Sequence, residues 1–216
     1  MKKQYTQSKK PSSISLQNIF GAYVAIFLLW FIYRYTTHFG DLVDELLVKP
    51  IIWLLPVFFL MLPKKNLFAL LTLQNLTIKK IFLAVMGGLF LSLLQILPNM
   101  LKGYDHFHIS ANFSVLAIAT IGTALSEELL FRGFIFTQLQ KYYSSITSYT
   151  ITSFLFAAIH IPILLFVNHI YGTSLLIPLY VVFASSIMFC FLYTYTKNLW
   201  APIIAHYVLD MLLIIF

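Results

Sequence analysis

The sequence predicts an all-α fold, a polytopic transmembrane bundle of about seven helices, on three observations. Apolar residues make up 60% of the chain and charged residues only 10%, with a mean hydropathy of +0.88. A soluble domain carries roughly 25% charged residues, so this chain lacks the polar surface to cover itself in water. The apolar residues fall in runs that approach the roughly 20 residues a bilayer crossing requires. Lysines gather at the ends of those runs, as Lys2/Lys3, Lys9/Lys10, Lys64/Lys65 and Lys79/Lys80. That placement orients membrane helices, and it argues against nucleic acid as the partner of the net charge of +7.

Seven segments follow in order: 19–35, 51–62, 81–101, 113–139, 146–167, 175–195 and 199–216. The second is short and holds Pro56; it either extends upstream through Leu46 or forms a re-entrant piece, which would raise the count to eight. The basic stretch 1–16 reads as a cytoplasmic tail, and its following apolar run is too long for a cleaved leader, so the first helix is expected to be retained. Residues 17–111 hold membrane helices without a motif, and 112–216 hold the motif-bearing core. No internal repeat of the inverted-transporter kind is visible. The single cysteine, Cys190, lies in an apolar run, so no disulfide framework exists and the thiol reads as inert.

Threading the segments with a cytoplasmic N-terminus places Lys141, Lys197 and the lysine clusters inside. Asp41, Asp44, Glu45 and Asp105 then fall in outside loops, with Lys49 and Lys102 the only lysines there. The protein is thus expected in the cell membrane, in contact with lipid, with its N-terminus in the cytoplasm.

The ionisable groups left inside the spans are Glu127, Glu128, Arg132, His160, His206 and Asp210, with Arg34 near a helix end. Each charge at a helix centre costs on the order of 2.5–3.5 kcal/mol, so the four acidic and basic groups together oppose insertion by roughly 10 kcal/mol unless they meet one another. Arg34, beside Tyr33 and Tyr35, reads as a snorkelling residue. Glu128 and Arg132 are four apart on one helix face and read as a structural ion pair. Glu127 is turned about 100° away. Without a full counter-charge it would be available as a general base. Pro162 is expected to kink the fifth helix beside His160, and His206 and Asp210 share a face of the seventh. His38, His106, His108 and His169 fall at helix ends or loops and read as solvated. The six interior groups are expected to converge on a pocket beneath the cytoplasmic surface.

Several chemistries fit poorly. An aspartyl protease needs two facing aspartates, and only Asp210 is in a span; Ser126 lacks the marks of a nucleophile, and no H-E-x-x-H motif is present. Glutamate and histidines could polarise a water directly, or hold zinc through Glu127, His160 and His206.

The order Glu127-Glu128-x-x-x-Arg132, Phe156-x-x-x-His160 and His206-x-x-x-Asp210, with the Leu199-Trp200-Ala201-Pro202 lead-in, resembles the CAAX protease and bacteriocin-processing (CPBP, or Abi) family, which includes type II CAAX prenyl endopeptidases. The resemblance covers about 113–216. It implies a glutamate-dependent intramembrane endopeptidase acting on a peptide or membrane-protein substrate, with no cofactor required. On it, Glu127 with His160 would activate water, while His206 and residue 210 would stabilise the oxyanion. Asp210 stands where related enzymes resemble one another in having Asn, and an ionised Asp cannot donate to an oxyanion. Asp210 would therefore be protonated, or would orient His206. Peptide processing or bacteriocin self-immunity are the tasks the resemblance suggests. A non-catalytic immunity or binding protein of the same fold, and a proton-coupled transporter, are the other readings.

Overall fold

The computed structural model describes residues 14–61, 75–101 and 112–216, which form seven helices and no strand. Lys2, Lys3, Lys9, Lys10, Lys64, Lys65, Lys102, Asp105, His106 and His108 lie outside the described residues. Helix α1 is Leu16–Thr36, and α2 occupies residues 41–61 as three consecutive pieces, Asp41–Val43, Asp44–Val48 and Lys49–Met61. Then come α3 (Ile78–Leu101), α4 (Phe113–Leu139), α5 (Ser145–Phe166), α6 (Gly172–Thr196) and α7 (Trp200–Ile215). Five of these, α1 and α3 to α6, are long and apolar enough to cross a membrane, and α7 is a shorter apolar helix. The chain is a multi-pass membrane protein.

Local chemistry sets the boundaries. Ser15 and Ser144 cap α1 and α5, their hydroxyls accepting from the Asn18 and Thr147 amides. Lys197 ends α6 in a left-handed conformation (φ 50°), with its N–H donating to the Tyr193 carbonyl. The polarity of the bundle is inverted relative to a soluble protein. Leu28, Leu29 and Ile32 of α1, Phe90, Leu93 and Leu94 of α3, and Ile177 and Tyr180 of α6 are exposed, while Asp44, Glu128, Arg132 and Ser186 are fully buried. So continuous an apolar exterior reads as a lipid-facing surface.

The second helix differs from the reading that put Asp44, Glu45 and Lys49 in an outside loop. All three lie within α2, where Asp44–Val48 is a π-helical turn. The extension upstream through Leu46 is the alternative that the fold adopts. Pro50 and Pro56 lack the N–H that would close α-helical bonds to the preceding turn, and the widened segment lies immediately before the first of them. Asp41 also lies in α2, so among the described residues no loop acid is left to support the orientation.

Two glycines set how closely helices approach. A Cβ on Gly88 of α3 would lie 2.5 Å from the Ala205 carbonyl oxygen of α7. One on Gly122 of α4 would lie 2.7 Å from the Glu45 carbonyl oxygen of α2. Gly122→Ala should consequently push α2 off α4, at an overpacking cost of about 1–3 kcal/mol. The expected result is a lowered thermal midpoint for the detergent-purified protein; an unchanged midpoint would mean that this close approach is not made.

Candidate active site

Helix α4 supplies three charged side chains in its middle. Its geometry changes there, from α-helix through Glu128 to a π-helical stretch over Leu129–Phe136. Arg132 Nη1 donates to Glu128 Oε1 at 2.9 Å, and its Nη2 donates to the Ser186 carbonyl and hydroxyl oxygens of α6 at 3.0 and 2.7 Å. The guanidinium lies 4.6 Å from the Phe156 ring centroid and 5.2 Å from that of Phe189. A buried cation so enclosed is held by charge-assisted bonds and ring faces together.

Helix α5 breaks at His160, two residues before Pro162. The His160 N–H donates to the Ala157 carbonyl at 3.1 Å, closing the first half of the helix with a tight turn. Its ring Nδ1 lies 2.7 Å from the Phe156 carbonyl oxygen, which can only accept, so Nδ1 carries the hydrogen. His206 of α7 is stacked on Phe189 at 4.8 Å, and its Nδ1 lies 2.8 Å from Glu128 Oε1. The same reasoning puts its hydrogen on Nδ1. Both rings then turn Nε2 inward, toward Glu127.

Glu127 Oε2 stands 3.8 Å from His160 Nε2 and 3.9 Å from His206 Nε2, and His206 Nε2 stands 3.4 Å from Asp210 Oδ2. Glu127 Oε2 is buried and makes no hydrogen bond among the described residues. The other oxygen, Oε1, accepts from Lys49 Nζ at 3.0 Å. The six residues singled out from the sequence thus come together, with Glu127 at the centre of the histidines.

Four sequence expectations are corrected here. Glu127 is not without a counter-charge, because Lys49 pairs with it as well as with Glu45. Nor is the division between a structural pair and a free acid complete, since Glu128 also holds His206. Arg34 does not snorkel: it is 5% exposed, donates to Asp44 Oδ2 at 2.6 Å and to Glu45 Oε1 at 3.0 Å, and lies 4.2 Å from the Trp30 ring centroid. His38, read as solvated, is half-exposed but sits 2.7 Å from Asp44 Oδ2. Cys190 is fully buried. Lys49 and Glu45 escaped sequence reasoning because they were assigned to a loop; their spacing of four just ahead of an apolar run was the available signal.

A cavity of about 260 Å³ adjoins the site, its walls including Trp30, Asp41, Glu45, Lys49, Glu127 and His160. A second, of about 90 Å³, adjoins His206, Asp210, Gln95 and Ser185. His160 lines both. The larger cavity lies toward the end of the bundle that carries the α1–α2 connection and the start of α4, near Asp41 and Leu116. With a cytoplasmic N-terminus that end would face outward, away from the position expected beneath the cytoplasmic surface.

The fit to a metal can be judged from the donors. Among the described residues no group of three or more His, Cys, Asp or Glu side chains is placed to hold a metal ion. The Lys49 ammonium on Glu127 adds a cation where a second one would be repelled. A zinc ion on Glu127, His160 and His206 would use Oε2 and the two Nε2 atoms, against the repulsion of the Lys49 ammonium.

Buried carboxylates and imidazoles facing one another beside a partly polar cavity mark a candidate active site in a multi-pass membrane protein. Residues 109–212, just under half of the chain, match the family described as type II CAAX prenyl endopeptidase Rce1-like. The C-terminal region of the chain is thus similar to that family, in line with the resemblance carried by its three motifs. No curated protein matches the chain.

Proposed function

We propose that the chain is an intramembrane endopeptidase in which Glu127 and His160 activate a water for attack on a peptide bond. One observation carries this reading: the unpartnered Glu127 Oε2 faces two imidazole Nε2 atoms at 3.8 and 3.9 Å. Those separations exceed a direct hydrogen bond and suit a bridging water. With His160 carrying its hydrogen on Nδ1, its Nε2 and the Glu127 carboxylate both present acceptors to the gap between them, which suits a water that brings the hydrogens.

In the proposed step, water gives a proton to Glu127 Oε2 as its oxygen bonds to the scissile carbonyl carbon. The carbonyl π electrons move to oxygen. His206, protonated, stands between Glu128 and Asp210 and donates from Nε2 to that oxyanion. Collapse breaks the C–N bond, and the proton held by Glu127 passes to the leaving amine. Asp210 then orients and compensates His206, as the 3.4 Å separation supports, and is not itself an oxyanion donor. No metal ion takes part.

The substrate is a peptide or membrane protein, in a task such as peptide processing or bacteriocin self-immunity, and the protein resides in the cell membrane. The enzyme in proteoliposomes, incubated with a membrane-peptide mixture containing EDTA, is expected to generate new peptide termini detectable by mass spectrometry. His160→Ala should generate none. Termini that vanish with EDTA and return with zinc would overturn the metal-free step. A second reading, a non-catalytic immunity protein of the same fold, is favoured by the Lys49 contact that occupies one Glu127 oxygen. It predicts no new termini from either protein, and a cellular phenotype that survives His160→Ala.

A further inference from the structure

We propose that Lys49 is a positioning residue for Glu127, fixing Oε1 and holding the side chain as a carboxylate with Oε2 turned to the histidines. The inference rests on the reading of Glu127 as the water-activating group, and it brings α2, which carries no family motif, into the site.

Lys49 is 4% exposed and lies in the helix immediately after the π-helical turn. Its ammonium contacts both Glu45 and Glu127 Oε1, and lies 5.2 Å from the Trp53 ring centroid and 5.7 Å from that of Trp30. A buried ammonium is retained only where charge and hydrogen-bond acceptors surround it. Here the acceptors are two carboxylates from different helices.

Glu45 is in turn fixed on every side. Its Oε1 accepts from Arg34 at 3.0 Å, and its Oε2 accepts from the Thr123 hydroxyl at 2.8 Å as well as meeting Lys49. Arg34 is clamped by Asp44 and stacked over Trp30, and Asp44 is also bonded by Tyr33 and His38. An alternating ladder of Asp44, Arg34, Glu45, Lys49 and Glu127 therefore joins α2 to α1 and then to α4. At its last rung only one oxygen of Glu127 is used, and the other points into the gap before His160 and His206. The pairing with Glu45 is made within α2, one turn away, whereas Glu127 is reached on another helix. Contact with Glu127 is what ties the carboxylate plane to a fixed direction.

The test uses the full-length protein in detergent and dicyclohexylcarbodiimide, which reacts with protonated carboxyl groups in apolar surroundings. The acid proton moves to a carbodiimide nitrogen, the carboxylate oxygen bonds to the central carbon, and the adduct rearranges to a stable acylurea read by mass spectrometry. At pH 7, Glu127 of the unaltered protein should label slowly. Lys49→Met should label Glu127 at least about tenfold faster, a population change equivalent to roughly 1.4 kcal/mol. Lys49→Arg should restore slow labelling together with peptide cleavage, and Glu127→Gln is the blank.

Labelling of Lys49→Met at the rate of the unaltered protein would overturn the inference. If Lys49→Met does not accumulate, rapid labelling of Glu127 in the unaltered protein at pH 7 overturns it equally. The two readings can fail separately. Faster labelling in Lys49→Met, with cleavage intact in Glu127→Gln, keeps the contact and removes the peptidase reading. Cleavage lost in Glu127→Gln, with cleavage and labelling unchanged in Lys49→Met, removes Lys49 alone.

Discussion

Glu127→Gln should abolish peptide-bond hydrolysis while the protein still reaches the membrane folded. The change is nearly isosteric, and the Gln carbonyl oxygen can still accept from Lys49, as Glu127 Oε1 does at 3.0 Å. What is lost is an oxygen able to take a proton from water. Proton transfer by a placed side chain contributes typically about 10²–10⁴-fold to a rate. A loss of about three orders of magnitude in new-terminus formation is therefore expected, with detergent thermal stability lowered only by the weakened Lys49 contact, since Lys49 keeps Glu45. The measurement is a comparison of membrane peptide termini from cells carrying either form. Undiminished processing by the Gln variant would remove Glu127 as the base.

Arg132→Gln should act on the fold before it acts on chemistry. Arg132 and Glu128 are both fully buried, and the guanidinium bonds Glu128 and two Ser186 oxygens. Removing it leaves the Glu128 carboxylate in low dielectric with His206 as its only remaining partner among the described residues. Breaking a buried pair from one side costs about 3–5 kcal/mol. That is a large fraction of a typical folding free energy, so the variant should accumulate poorly and unfold early in detergent. Substituting both partners together, Glu128→Gln with Arg132→Met, should recover part of the lost stability, because no unpaired charge then remains. Normal abundance and an unchanged unfolding midpoint for Arg132→Gln would show that the pair contributes little.

The helices were legible because the constraint that creates them is strong. A bilayer demands long apolar runs with satisfied backbones, and each of the seven expected segments lies within or close to an observed helix. The interior charges were legible for the same reason: Glu127, Glu128, Arg132, His160, His206 and Asp210 stand out against apolar neighbours, and their cost forces them inward. Arg34, Asp44, Glu45 and Lys49 were not legible as a buried group, since they lie near a helix connection where charge is ordinary. Their burial depends on α2 closing against α1 and α4, a tertiary event with Gly122 at its tightest point. The π-helical turns were invisible to a 3.6-residue pattern, and the position of the larger cavity was set by the packing of α2, not by any motif.

The α1–α2 pair has a consequence for how the protein enters its membrane. Arg34 and Lys49 are matched by Asp44 and Glu45 within that pair, so its buried cations and anions cancel before any later segment emerges. Such a self-neutralised unit can partition into lipid early. Helix α4, with Glu127 and Glu128 against Arg132, carries an excess of negative charge until Lys49 and the imidazole of His206 close around it. In the folded bundle the balanced pair is the surface that α4 meets, with Lys49 shared between Glu45 and Glu127.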